Sequence, residues 1–247
     1  MLGLPDGVKA CLFDLDGVLT RTASVHAAAW KEMFDDFLRT RADEQGTEFV
    51  PFDAGSDYDR YVDGKPRADG TRSFLESRGI NLPEGTAEDP PSAPTINGLG
   101  NRKNQLVLRK LDEGGAELFE GSVRYVKAAR EAGLATAVVS SSANATRILN
   151  VTGIANLFDA VIDGVVAAER GYPGKPAPDA FLAGARALNV MPTQAAVYED
   201  ALAGVQAGRA GHFALVIGVD RVGQAAALAE HGADRVVEDL SELMEDS

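Results

Sequence analysis

The chain has 247 residues, of which 45% are hydrophobic and 25% charged, the composition of an ordinary globular protein with a sizeable core. Its formal net charge of −13 argues against nucleic acid or an anionic membrane as the main partner. A single cysteine excludes an internal disulfide, and no apolar run reaches membrane-spanning length, so the sequence predicts a cytoplasmic protein.

The first predicted strand ends in two aspartates. In the segment VKACLFDLDGVLT (8–20), an apolar run is followed by Asp14 and Asp16 and then by Gly17, which lets the chain turn. Two residues apart in a regular strand, both aspartates would face the same side. Alone, such a pair is most often a cap or a turn. A calcium loop begins in the same way, but here no glutamate occupies its twelfth position.

Residues 21–116 predict a helical insertion. Three polar segments have helical composition, SVHAAAWKEMFDDFLRTR (24–41), GTRSFLESRG (70–79) and NRKNQLVLRKL (101–111). Two irregular segments, 40–57 and 82–95, separate them, and the second is rich in proline. We therefore expect residues 21–116 to form a helical cap domain that acts as a lid over the carboxyl edge of the sheet.

From about residue 118 onward, short apolar runs alternate with helical segments. The runs are 135–141, 159–163, 195–200, 213–219 and 234–239, and the helical segments are 122–132, 144–152, 178–188 and 202–210. This alternation is typical of a parallel sheet with helices on both faces. Residues 1–20 and 117–247 are therefore predicted to form a Rossmann-like α/β core, in which ligands bind at the carboxyl ends of the strands.

Polar groups follow three of the predicted strands, and a lysine lies in a rigid loop between two prolines. These groups are Asp14, Asp16, Ser140, Lys175, Glu199 and Asp200. Carboxylates gathered at one edge would repel one another, and a hard divalent cation such as Mg²⁺ relieves that repulsion. Magnesium beside a lysine suits a phosphoryl group, and an aspartate is ionised at neutral pH without a general base.

Four segments of the chain resemble the motifs of the haloacid dehalogenase superfamily of phosphotransferases. They are DLDGVLT (14–20), the strand that ends in Ser140, GKPAPD (174–179) and EDALAGVQAGRAG (199–211), in matching order and spacing. The resemblance covers the whole predicted core. It implies that Asp14 is the nucleophile that becomes an aspartyl phosphate and that Asp16 is the general acid and base.

The same resemblance implies the ligands of the metal and of the phosphoryl group. Mg²⁺ would be held by the carboxylates of Asp14 and Asp200, by the backbone carbonyl of Asp16, and by Glu199. The phosphoryl oxygens would be bound by a second set of residues, Ser140 and Lys175, with Asn144 close by.

The predicted cap resembles that of the β-phosphoglucomutases, a subgroup of this superfamily. TASVHAAAWKEMF (22–34) is similar to their first cap helix, which carries Thr22, His26 and Trp30 here. Trp30 is favoured as a packing residue by its apolar neighbours, whereas a histidine near Asp16 could steady the acid. DGKPRADG (63–70) and NRKNQ (101–105) resemble segments that would supply Arg67 and Lys103 to a second phosphate.

The resemblance implies an enzyme that isomerises β-glucose 1-phosphate to glucose 6-phosphate through the 1,6-bisphosphate, and we expect it to be a monomer. The alternative is a Mg²⁺-dependent sugar-phosphate phosphatase, which needs no second anion site. Two non-enzyme readings are a phospho-receiver domain and a silent scaffold. A receiver carries its acid pair after the first strand and its phosphoacceptor on a later one, and it has no place for a helical insertion, while a scaffold would have lost motif residues.

Overall fold

A computed structural model describes residues 2–245, which divide into two compact units. The α/β unit comprises the residues up to Arg21, Gly64–Pro66, and the residues from Ala116 onward. The helical unit comprises Thr22–Asp63 and Arg67–Gly115. Three residues from the middle of the insertion, Gly64–Pro66, therefore group with the α/β unit.

The α/β unit is built on one six-stranded parallel sheet. Its strands are β1 (Ala10–Phe13), β2 (Ala135–Val139), β3 (Ala160–Ile162), β4 (Ala195–Glu199), β5 (Leu215–Val219) and β6 (Arg235–Val237). They lie in the order β3-β2-β1-β4-β5-β6, so β1 is central and pairs with both β2 and β4. The predicted α/β fold with a parallel sheet is confirmed.

Ten α-helices are described. They are α1 (Ala23–Gln45), α2 (Arg67–Ser77), α3 (Ile96–Gly114), α4 (Glu120–Glu131), α5 (Ala145–Val151), α6 (Gly164–Arg170), α7 (Asp179–Ala187), α8 (Leu202–Ala210), α9 (Ala225–Glu230) and α10 (Glu242–Glu245). A π-helical turn spans Tyr58–Val62, and short 3₁₀ turns span Ala155–Leu157 and Pro192–Gln194. Among residues 2–245, no helix combines the length and the apolar character needed to cross a bilayer.

The structure differs from the sequence prediction in two ways. Helix α1 continues to Gln45, whereas residues 40–57 were predicted to be irregular. The charged residues there are good helix formers, and the helix ends only at Gly46, which has a φ of 63°. Helices α6, α9 and α10 were not predicted, because segments of 7, 6 and 4 residues are too short to show a helical period.

The sheet is buried on both faces. Leu12 and Val197 belong to a cluster of hydrophobic side chains on one face, and on the other Phe13 stacks on Tyr198 with ring centroids 4.4 Å apart. Neighbouring strand residues point to opposite faces, so a strand covered on both sides is mostly apolar along its length. The acidic residues of the central strands accordingly lie at the last position of a strand or just after it.

The helical unit has its own aromatic core. Trp30 and Phe34 of α1 stack with centroids 5.2 Å apart, and Phe34 lies 4.2 Å from Phe74 of α2. Phe52, from the loop after α1, closes the group at 5.2 Å from Phe34. Burial of four aromatic rings gives this unit a hydrophobic core separate from that of the sheet.

Candidate active site

The central strands bring three acidic groups together at the edge where they end. Strand β1 pairs Phe13 with Tyr198 of β4, and the Asp14 amide continues the ladder by donating to the Tyr198 carbonyl at 2.9 Å. Carboxylate oxygens of Asp14, Glu199 and Asp200 lie within 4.8 Å of one another. All three residues are buried. The sequence grouped these acids correctly on one edge.

Lys175 lies inside this acidic cluster. Its Nζ donates to Asp14 Oδ1 at 2.6 Å, to the Val139 carbonyl at 3.4 Å, and to Glu199 Oε1 through a very short hydrogen bond. Only 1% of its side chain is exposed. Because burial of an unpaired ammonium is costly, these contacts are what keep Lys175 charged in the interior.

The charges in the cluster shift one another's titration. Burial alone would lower the pKa of Lys175, but the carboxylates of Asp14 and Glu199 outweigh it and raise that pKa above its ordinary value. Burial raises the pKa of Glu199 to about 7, even though Lys175 opposes the shift. Three carboxylates against one ammonium leave a formal charge of −2, and the donors are all oxygens. The cluster therefore fits a hard divalent cation.

Two glycines make room for the carboxylates. Gly17 has a φ of 89°, and a Cβ atom there would lie 1.6 Å from Asp200 Oδ2. Gly204, in the first turn of α8, would place a Cβ 1.8 Å from Glu199 Oε1. Any side chain at either position would displace an acid of the cluster. Gly17 was recognised from the sequence as a turn residue, whereas Gly204 was not singled out.

Asp16 lies on the turn that follows β1 and is half-buried. The turn is closed by the Gly17 amide, which donates to the Thr20 carbonyl at 2.7 Å, and by the Thr20 amide, which donates to Leu15 at 3.0 Å. Asp16 is not one of the three acids whose carboxylate oxygens lie within 4.8 Å of one another.

Ser140 and Asn144 lie at the end of the neighbouring strand. Ser140 follows β2, is 3% exposed, and accepts a hydrogen bond on Oγ from the Ser142 amide at 3.1 Å. Asn144 precedes α5, is half-buried, and its amide donates to Ser142 Oγ at 3.2 Å. Two of the three predicted phosphate-binding residues, Ser140 and Asn144, thus belong to one short polar segment.

The helical unit brings together three of the predicted cap residues. Nζ of Lys103 lies 2.9 Å from His26 Nδ1 and 4.7 Å from the centroid of the Trp30 ring. Lys103 and Trp30 are 5% and 3% exposed. Burial, aided by the charge of Lys103, holds the pKa of His26 well below its usual range, so this imidazole is neutral and accepts the hydrogen bond on Nδ1.

Thr22 and Arg67 lie at the beginnings of two helices of the same unit. Thr22 precedes α1, is 1% exposed, and its carbonyl accepts the His26 amide at 3.0 Å. Arg67 is the first residue of α2 and is half-buried, and burial lowers its pKa. Its stem packs on Gly100 of α3, where a Cβ would lie 3.1 Å from Arg67 Cγ.

Sequence reasoning missed the loop after β5, which also reaches the site. Gln224 Nε2 donates to the backbone carbonyl of Asp200 at 3.0 Å, and Arg221 Nε donates to the carbonyl of Gly17 at 2.9 Å. The sequence could have indicated these residues by their position, since they follow predicted strand 213–219 and therefore lie at the same edge of the sheet as the acids.

Comparison with known proteins identifies a family for most of the chain. Residues 8–212 match the haloacid dehalogenase-like hydrolase family. A curated β-phosphoglucomutase of Mycobacterium tuberculosis (strain CDC 1551 / Oshkosh) is 56% identical over 247 residues, which cover 99% of this chain and 94% of that protein. The β-phosphoglucomutase of Bacillus subtilis (strain 168) is 33% identical over 240 residues and covers 96% of this chain and 92% of its own length.

Solved structures share the same fold. The crystal structure of β-phosphoglucomutase from Clostridium difficile superposes with a TM-score of 0.74 at 26% sequence identity, covering 96% of this chain and 93% of that one. The resemblance inferred from the four sequence motifs is therefore confirmed at the levels of sequence and fold.

Proposed function

The chain belongs to the haloacid dehalogenase-like hydrolase family, and on that basis we propose that it interconverts β-glucose 1-phosphate and glucose 6-phosphate. The observation that carries this proposal is 56% identity over 99% of the chain to a curated β-phosphoglucomutase. The buried acids with Lys175 at their centre supply the chemistry that such an isomerase requires.

Asp14 is the proposed nucleophile. Its carboxylate would attack the phosphorus atom, forming an Asp14–phosphorus bond as the bond from phosphorus to the sugar oxygen breaks. Asp16 would give its proton to the departing sugar oxygen and, in the reverse direction, take the proton from the attacking hydroxyl. The phosphoryl group would thus leave Asp14 for the 6-hydroxyl of β-glucose 1-phosphate, and the 1-phosphate of the resulting bisphosphate would then return to Asp14.

Several side chains would hold the transferred group. Mg²⁺ would be bound by the carboxylates of Asp14 and Asp200, by the backbone carbonyl of Asp16, and by Glu199. Its charge would screen the phosphoryl oxygens from the acids. Lys175 would shift from the carboxylates towards the phosphoryl oxygens. Ser140, with Asn144 nearby, would donate hydrogen bonds to the same oxygens, so that most of the catalysis comes from positioning and electrostatics.

A mutase needs a second anion site because its intermediate carries two phosphates. We assign this site to Arg67, whose planar guanidinium suits bidentate contact with a phosphate. Lys103 is a second candidate cation, since it is buried beside a neutral His26 and the Trp30 ring in the same helical unit as Arg67. Thr22 is proposed to line the same region, while the stacking of Trp30 on Phe34 favours packing as its main role.

One assay separates the mutase from the alternative phosphatase. The protein is mixed with Mg²⁺, β-glucose 1-phosphate and a trace of the 1,6-bisphosphate, and glucose 6-phosphate and free phosphate are followed separately. Glucose 6-phosphate without matching free phosphate is expected; free phosphate in equal or greater amount would reject the mutase. Asp14→Asn should abolish turnover, and Asp6→Asn, which changes an exposed aspartate outside the site, should leave it unchanged.

A further inference from the structure

The loop that follows β5 is fixed by one carboxylate. Asp220 Oδ1 accepts the amides of Val222, Gly223 and Gln224 at 3.1, 2.7 and 2.9 Å, and Oδ2 accepts the amide of Ala225 at 3.0 Å. Four hydrogen bonds to a single side chain leave this loop little conformational freedom. Its one long cationic residue, Arg221, therefore projects from a rigid base.

Arg221 contacts the backbone of the turn that carries Asp16. Nε donates to the Gly17 carbonyl at 2.9 Å, and Nη2 lies 3.4 Å from the Val18 carbonyl. These are the first and second residues after Asp16. The guanidinium thus bonds the two peptide groups that set the direction of the chain immediately after that aspartate.

The guanidinium is itself held from several other directions. Nη1 donates to the Glu238 carbonyl at 2.5 Å, Nη2 lies 3.3 Å from Ser122 Oγ, and Asp239 Oδ2 is 3.5 Å from Nη1. Its Cζ stands 3.5 Å from the centroid of the Phe119 ring. Only 16% of the side chain is exposed. Because these contacts fix the Arg221 guanidinium, it can restrain the carbonyl groups of Gly17 and Val18 to which it donates.

The turn needs such a restraint because Gly17 is its pivot. Gly17 has a φ of 89°, and glycine passes between backbone conformations at low cost. A small rotation at Gly17 would move the carboxyl group of Asp16, and displacements of about 1 Å can cost about 10²-fold in rate.

We infer that Arg221 is a positioning residue, which holds the Gly17–Val18 backbone so that Asp16 delivers its proton to the departing sugar oxygen. This inference rests on the general acid role that we propose for Asp16. It adds the loop after β5 to the apparatus for proton transfer, although Arg221 itself need not touch the substrate.

The test compares two phosphoryl donors that differ in their need for a proton. A sugar oxygen leaves as a hydroxyl and requires the proton of Asp16. Acetyl phosphate releases acetate, which leaves with the electron pair of the broken phosphorus–oxygen bond and needs no proton. The measured quantities are kcat and KM with β-glucose 1-phosphate, and the rate of acetate release during the first turnover, which reports phosphorylation of Asp14.

In Arg221→Ala we expect kcat on the sugar phosphate to fall about 10- to 100-fold, part of the roughly 10²- to 10⁴-fold that acid–base catalysis contributes. KM and first-turnover acetate release should change less than about threefold, and guanidinium ions added to the buffer should restore part of kcat. Equal losses with both donors, or no loss with either, would overturn the inference.

Three further variants make the result interpretable. Asp16→Asn should also lose kcat on the sugar phosphate while keeping its rate of acetate release. If it loses both rates equally or neither, the proposed role of Asp16 fails. If Asp16→Asn shows this selective loss and Arg221→Ala does not, only the role of Arg221 is rejected. Arg209→Ala removes an arginine of α8 that pairs with Asp234 at 3.3 Å, and it should change neither rate. If Arg221→Ala does not fold, Arg221→Lys is judged by the same ratio of losses.

Discussion

Gly17 shows how one missing side chain shapes the acidic cluster. Its φ of 89° is unfavourable for any residue with a Cβ, and the carboxylate of Asp200 occupies the space that a Cβ would need. A side chain at Gly17 would therefore cause both backbone strain and steric overlap. The two effects can be separated with Gly133, where a side chain would cause backbone strain without steric overlap.

Gly17→Ala should reduce kcat about 100-fold or more, because the methyl group displaces Asp200 from the cluster. Gly133→Ala is the matched control, since Gly133 has a φ of 80° and no atom within 4 Å of its would-be Cβ. It should lower the free energy of unfolding by about 1 kcal/mol and leave kcat unchanged. Steady-state kinetics and denaturant unfolding of both variants check this, and equal kcat values would contradict the assigned clash.

His26 makes the stability of the helical unit depend on pH. Burial and Lys103 keep its folded-state pKa well below 6.5, the value expected in the unfolded chain. A group with a lowered folded pKa contributes stability above its unfolded pKa and loses it as the pH falls. The free energy of unfolding should therefore decrease below about pH 6.5, by up to about 1.4 kcal/mol per pH unit.

The measurement compares wild type with His26→Gln in denaturant unfolding at pH 7.5 and 5.5. Subtracting the two pH responses removes the titration of the other groups. Wild type should lose at least about 1 kcal/mol more than the variant between these pH values, and an identical response in both would show that His26 is not held neutral.

At the scale of elements, the sequence predicts the position of a site residue best where a polar residue follows an apolar run of strand length. Asp14, Ser140 and Asp200 could be placed together because each follows an apolar run, and parallel strands end at one edge. Lys175 could be assigned to them from its motif alone. These groups are positioned by the regular geometry of the sheet, which an apolar pattern encodes directly.

The remaining contacts depend on tertiary packing that has no local signal. The approach of Lys103 to His26 joins residues 77 apart in the chain, and the bond from Arg221 to Gly17 joins residues 204 apart. The sequence around Arg221 does not distinguish it from a solvated surface cation, and Lys103 was singled out only because NRKNQ (101–105) resembles a cap segment. The short helices α6 and α9 were missed because segments of 7 and 6 residues are too short to show an amphipathic period.

The first turn of α2 provides the test of the second anion site. Arg67→Ala should lower mutase turnover about 10- to 100-fold, as expected from the loss of a charge-assisted contact with phosphate, and change hydrolysis of a simple monophosphate less than about twofold. Arg72→Ala is the control on the same helix, because Arg72 pairs with Asp69 and Glu84 instead. Equal effects of Arg67→Ala on both reactions would count against a second phosphate at this residue.

For the whole molecule, the high negative charge means that a cation can stabilise the fold in two ways, by binding at one site or by screening charge generally. The chain carries a formal charge of −13, so any added salt relieves repulsion between its acids. The acidic cluster alone holds three carboxylates against Lys175, and a divalent cation bound there should stabilise the folded state well beyond this general screening.

Mg²⁺ at 100 times its dissociation constant should stabilise the fold by about 2.7 kcal/mol, seen as a higher Tm than in NaCl of the same ionic strength with EDTA. Asp200→Asn should abolish most of this difference, and Asp6→Asn should retain it. A Tm that responds to ionic strength alone, in wild type and variants alike, would contradict a cation site at the cluster.

The central place of β1 also has a consequence for synthesis on the ribosome. Its partners β2 and β4 begin at Ala135 and Ala195, so the nascent β1 has no neighbour until more than half of the polypeptide has been made. Helices α1, α2 and α3 are encoded between β1 and β2, contain a complete aromatic core of their own, and can fold in that interval. We expect the exposed apolar strand to be the part of the growing chain that chaperones protect longest.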